Sequence, residues 1–217
     1  MSNDVEIKNV QRDKLAFFGK IIASLSHEIM NVIATEKELS GLLEDLVYVS
    51  QKKSTQVDLN KLDAIAGKLT YQAERGENLI RRLNKFSHSV DDLKQSQDLK
   101  SLVSEMVDLC ERFASLRQVE LLVDLSNQGF NSVVDPFTFH QTLFTAINSA
   151  IGCSEKGDTV HLSFKGEDTC CHVQVKRINQ QARPFLDDVS RKMLEKLMDE
   201  CKGQMNVDEE AVVLTFY

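Results

Sequence analysis

Residues 15–46 read LAFFGKIIASLSHEIMNVIATEKELSGLLEDL, and the spacing of their apolar side chains decides the fold of the first half of the chain. Leu15, Phe18, Ile22, Leu25, Ile29, Val32, Leu39, Leu43 and Leu46 recur at steps of three and four, with Glu36 at the one missed step. This is a heptad seam, the pattern of a helix packed in a bundle or coiled coil. Phe17, Ile21, Ile33 and Leu42 flank it. A face this broad calls for more than one neighbour.

The pattern breaks over "SQKKSTQVDLN", 50–60, and resumes at Leu62, Ile65, Leu69, Gly76, Leu79, Leu83 and Phe86, with Ala66, Ala73 and Ile80 beside it. Two long helices joined by a short loop lie antiparallel. A lone hairpin would leave much of these faces wet. Pairing with a second copy would bury them in a four-helix bundle, and two-fold dimers are the commonest oligomers. A homodimer is therefore expected. Cover from the second half of the chain is the alternative.

If Leu25 and Ile29 occupy the seam, His27 points outward, in line with Lys20, Ser24, Asn31, Ala34 and Glu38. Small neighbours, Ala23, Ser24, Ser26 and Ala34, leave room for another protein to approach the imidazole.

After a linker, "SHSVDDLKQSQ" at 87–97, the pattern changes. A helix is expected over 98–116 and strands at "VELLVDL", 119–125, and "NSVV", 131–134, with "NQG" turning between them. Asp135 before Pro136 is a cap followed by proline at the first helical position, which starts a helix running to about Ile151. "TVHLSF", 159–164, and "CCHVQVKRI", 170–178, alternate as paired strands. A helix over 186–200 and a strand, "AVVLTFY", at 211–217 complete the chain. The expected class is α+β: an antiparallel helical hairpin over 1–90, then an α/β sandwich over 98–217 with helices on one face of a mixed sheet.

Composition narrows the function. A formal charge of −7 argues against nucleic acid as the main partner, because phosphate contacts need clustered Lys and Arg. No apolar run approaches the roughly 20 residues of a membrane span. "MSNDVEIKNV" lacks the basic start and apolar core of a signal peptide, so a cytoplasmic protein that meets other proteins is expected. The five cysteines, Cys110, Cys153, Cys170, Cys171 and Cys201, show no CxxC, so buried reduced thiols are expected, with no disulfide framework and no zinc site. HEIMN departs from HExxH because Asn31 replaces the second ligand. His88, His140, His161 and His172 show no paired spacing and read as ordinary surface or strand residues.

"SLSHEIMNVIA", 24–34, resembles the phosphoacceptor box of bacterial sensor histidine kinases. There an acidic residue follows the histidine, and Asn or Thr stands four positions after it. His27, Glu28 and Asn31 match all three, while Val32 replaces the proline that often follows the Asn. The second half resembles the ATP-binding domain of the same enzymes, through element order and "VVDPFTFHQTLFTAINSAIGCSEKG", 133–157. The departures are informative. Thr145 and Ser149 stand where that family has two asparagines, and Asn148 is out of register. "KRINQQARPFLDD", 176–188, has none of the glycines that hold adenine and form a lid; no glycine occurs between Gly166 and Gly203. A phosphate cradle needs close backbone N–H groups and the φ values glycine supplies.

An acceptor histidine joined to a reduced nucleotide domain resembles the dimeric histidine phosphotransferases of bacterial phosphorelays. That resemblance implies His27 as the group that takes and returns phosphate, with response-regulator receiver domains as partners. Glu28 would orient the ring or balance its charge. Asn31 would contact the phosphoryl group or orient a water in a phosphatase side reaction. Lys20, Ala23, Ser24 and Ala34 would form the docking surface, with Lys37 helping. No cofactor or metal would be bound by this chain; magnesium would come with the receiver. Two alternatives stay open: a non-catalytic module that docks on a receiver or kinase, and an active kinase with an atypical ATP site.

Overall fold

Helix α1 spans Ser2–Lys53 and α2 spans Leu59–His88. The computed structural model describes residues 2–91, 95–125, 128–178 and 184–217, with the backbone alone at 2–10 and 95. Parts of the expected linker (92–94), of the "NQG" turn (127) and of the 176–188 stretch (179–183) lie outside the described residues.

The connection between the helices is tighter than the polar run at 50–60 implies. Lys52 and Lys53 lie in the last turn of α1, where cations favour the negative helix end. Ser54 adopts φ 51°, and Thr55 N–H donates to the Ser50 carbonyl at 3.0 Å. Asp58 then caps α2, its carboxylate accepting from the N–H groups of Asn60 at 3.1 Å and Lys61 at 3.3 Å.

Phe17, Ile21, Leu25, Val32 and Leu39 are buried on α1, and Leu79 and Phe86 on α2. Phe86 lies edge-on to Phe17 and stacks on Phe18, both with centroids at 5.6 Å. Further along, a β-carbon on Gly76 would stand 3.3 Å from Val32 Cγ1, so the absence of a side chain lets the helices approach closely. Phe17 opposite Phe86 and Val32 opposite Gly76 establish the antiparallel hairpin. The phase differs from the expected seam at its start: Leu15 is 70% exposed, and Phe17 and Ile21 face inward in its place. Met30, Ile33, Leu42, Tyr71 and Ile80 remain exposed.

The chain divides into two compact units, Met1–Ser87 and His88–Tyr217. The second runs β1 (Gln95–Asp98), α3 (Leu99–Arg117), β2 (Glu120–Asp124), β3 (Asn131–Val134), α4 (Pro136–Cys153), β4 (Thr159–Gly166), β5 (Cys171–Arg177), α5 (Asp188–Glu200), β6 (Gln204–Val207) and β7 (Ala211–Phe216). β1 and β3 form an antiparallel pair. The main sheet has the order β2-β4-β5-β7-β6, with β2 parallel to β4 and the other neighbours antiparallel.

One sheet face is covered by helices. Leu162 pairs in register with Val175, and Val173 with Leu214; all are fully buried. Phe216 of β7 meets Phe139 of α4 at 4.8 Å between ring centroids, and Phe144 of α4 meets Phe113 of α3 at 5.3 Å. Alternation places Ser163, Lys165, His172, Gln174 and Thr215 on the opposite face, none of them buried. No described helix is long and apolar enough to cross a membrane.

Candidate functional site

The site begins with the phase of α1. Burial of Leu25 and Val32 turns the residues between them outward: His27 and Asn31 are both exposed. Residues four apart on a helix lie one above the other. The Asn31 amide nitrogen accordingly stands 3.3 Å from His27 Nδ1. Ala23, Ala34, Lys20 and Lys37 are exposed on α1, and Ser24 is half-buried.

Glu28 takes another direction. Its Oε2 lies 3.5 Å from Nη2 of Arg75 on α2, and its side chain is only 20% exposed. The acidic residue of the motif is thus joined to the second helix. Sequence reading does not identify Arg75: its partner comes from another helix, and one Arg in a polar run carries no signal.

In the second unit, α4 is buried along almost its whole length. Asp135 is its cap, accepting from Thr138 N–H at 2.7 Å. Thr145 is 9% exposed and its hydroxyl donates to the Gln141 carbonyl at 2.7 Å, within the helix. Asn148 and Ser149 are half-buried. His140 is 1% exposed with Nε2 3.8 Å from Glu105 Oε2, which corrects its reading as a surface or strand residue. His88 is exposed beside Asp91, and His161 and His172 lie half-buried on strands.

The stretch before α5 turns inward. Phe185 and Leu186 are buried, and Cys153 Sγ of α4 approaches the Phe185 carbonyl at 3.8 Å. Arg177, 5% exposed, lies over the Phe185 ring at 5.6 Å and donates from Nη2 to the Glu209 carbonyl at 2.9 Å. A guanidinium from the end of β5 thus lies on an aromatic ring ahead of α5. Burial pushes the Cys171 thiol up to about 12, as expected of an inert core thiol.

No family model matches the chain, and no curated protein matches it. Among solved structures, the catalytic domain of histidine kinase ThkA is 15% identical, with a TM-score of 0.49 over 58% of this chain and 97% of that one. Acinetobacter baumannii histidine kinase AdeS is 15% identical, with a TM-score of 0.44 over 87% of this chain and 95% of that one. Histidine kinase ThkA in complex with the response regulator protein TrrA is 18% identical, with a TM-score of 0.46 over 98% of this chain and 65% of that one. At these identities the likeness is one of architecture, and no residue role rests on it.

Proposed function

We propose that this chain is a histidine phosphotransferase that relays phosphoryl groups between response-regulator receiver domains through His27, without binding ATP. The observation that carries the reading is the His27–Asn31 pair: an exposed imidazole whose Nδ1 is met by an amide one turn away. A neutral imidazole is a nucleophile able to form a covalent intermediate. With Asn31 at Nδ1, Nε2 is the nitrogen assigned to phosphorus. It attacks an aspartyl phosphate in line, the N–P bond forms, the acyl O–P bond breaks and the receiver's carboxylate leaves. The reverse transfer follows the same path.

The amide suits both states of the ring. Placed with its nitrogen at Nδ1, it donates to a ring whose Nδ1 is unprotonated, as in a histidine phosphorylated at Nε2 that has released its Nδ1 proton to solvent. Turned about its last bond, it presents Oδ1, accepts from Nδ1–H and leaves the lone pair on Nε2 for attack. Positioning and charge neutralisation supply most of the catalysis in phosphoryl transfer. Magnesium and carboxylates brought by the receiver would provide the second.

The second unit supports relay rather than ATP-dependent phosphorylation. Thr145 is buried and bonded within α4, and Arg177, Phe185 and Leu186 are buried rather than open to a ligand. Exposed Met30, Ile33, Leu42, Tyr71 and Ile80 support a homodimer.

The test is phosphate transfer from a panel of phosphorylated receivers to the wild type and to His27→Ala, beside ATP alone. Label on the wild type only, from a receiver and not from ATP, is the expected result. Label from ATP would make the chain a kinase. Tight receiver binding with no label would make it a docking module.

A further inference from the structure

The turn from β4 to β5 gathers a second set of reactive side chains, remote in sequence from His27. Glu167 N–H donates to the Cys170 carbonyl at 2.8 Å, closing a tight turn. Strand alternation sends Cys171 into the core and leaves Cys170 and His172 on the side away from the helices. Cys170 Sγ and His172 Nε2 stand 3.6 Å apart. One ligand atom from each of Glu167, Cys170 and His172 falls within 4.8 Å of the others.

We infer that Glu167, Cys170 and His172 form a site for a divalent cation of zinc type, with one coordination position left to water or a second molecule. A thiolate, an imidazole and a carboxylate are the ligands zinc prefers, and three protein ligands with an open fourth position are a common arrangement. The geometry fits quantitatively. Zn–S of about 2.3 Å and Zn–N of about 2.0–2.1 Å at a tetrahedral angle place sulfur and nitrogen about 3.6 Å apart, which is the separation seen.

The surroundings fit as well. A metal-bound histidine commonly engages its other ring nitrogen, which fixes the tautomer and ring orientation. His172 Nδ1 meets Thr215 Oγ1 of the adjacent strand β7 at 2.9 Å; with Nδ1–H donating to that hydroxyl, Nε2 offers its lone pair on the Cys170 side. Glu167 accepts from Lys165 Nζ on Oε1 at 2.7 Å, and its carboxylate has a second oxygen to offer. Binding converts the Cys170 thiol to a metal thiolate and releases one proton to solvent. CxxC spacing misses such a site, because Glu167 and Cys170 come from the turn and His172 from the strand that follows it.

The experiment is a cobalt(II) titration of the full, untagged chain in a non-thiol reductant. The expected result is one equivalent of cobalt bound with a near-ultraviolet thiolate-to-cobalt band, displaced by zinc(II) and abolished in Cys170→Ser. Thr215→Val weakens affinity about 10–100-fold, the usual cost of losing such a partner. Absence of the band overturns the site. So does a band that survives Cys170→Ser, since the metal would then sit on another thiol. Thermal melts check that the variants fold. Should Cys170→Ser melt early, His172→Gln decides: unchanged cobalt affinity there also overturns the site.

Discussion

Glu28 and Arg75 join α1, one residue from His27, to α2, with Oε2 and Nη2 3.5 Å apart. The Arg75 end of the pair is 43% exposed and the contact is long, so Arg75→Ala is expected to cost under about 1 kcal/mol in a urea melt. Its effect belongs to the geometry beside His27. Glu28→Ala and Arg75→Ala are expected to slow receiver-to-His27 transfer equally, and the double variant to be no slower than either. Additive losses in rapid-quench transfer rates would show that the two act separately.

His27→Ala is expected to lose all label. Asn31→Ala keeps the nucleophile and loses one hydrogen bond, worth about 1 kcal/mol, which corresponds to roughly a fivefold slower transfer. Single-turnover rates at saturating receiver check this. Loss of a thousandfold would give Asn31 a larger part than ring orientation.

Asp187 caps α5, and its carboxyl is held below its ordinary range, first by the Ser190 backbone N–H and then by the Ser190 hydroxyl. Because the folded pKa is the lower one, this contribution is complete above the unfolded value of about 3.9 and is lost as pH falls through the folded value. Asp187→Ala is expected to cost about 1 kcal/mol at neutral pH. The gap between variant and wild type should close in acid, as denaturant melts across pH would show.

Phe86 is 2% exposed, with rings of α1 against it. Phe86→Ala is expected to cost about 3–5 kcal/mol, the usual loss for a buried aromatic. Helical circular dichroism on heating measures it, and a loss below 1 kcal/mol would mean that this end of the hairpin is not a packed core.

Magnesium-ATP gives a further check. A ligand at one hundred times its Kd stabilises by about 2.7 kcal/mol, so 10 μM affinity would be plain as a raised Tm at about 1 mM. No shift is expected, given the burial of Phe185 and Leu186. A shift of several degrees would restore a nucleotide site.

Strong local signals made much of this legible. Asp135-Pro136 announced α4, and alternation announced β4 and β5. β1, reading QSQD, and β6, reading QMNV, carry too little apolar character to be seen; pairing with β3 and β7 makes them strands. The seam began out of phase because adjacent apolar residues, Phe17 with Phe18 and Ile21 with Ile22, support two faces equally. His27 and Asn31 were legible because one helical turn joins them. Arg75 and Thr215 were not, because each reaches its partner from another element.

The parallel pairing of β2 with β4, Glu120 opposite Thr159, has a consequence for how the molecule forms. The connection between these strands passes through β3 and all of α4, so the pairing must close a long loop before any bond rewards it. The helical hairpin zips outward from a tight turn and is synthesised before the sheet. Helical contacts of this kind form fast, and non-local sheet pairing is slow. The hairpin that carries His27 is therefore expected to be in place while the sheet is still assembling, and two kinetic phases in refolding would be its signature.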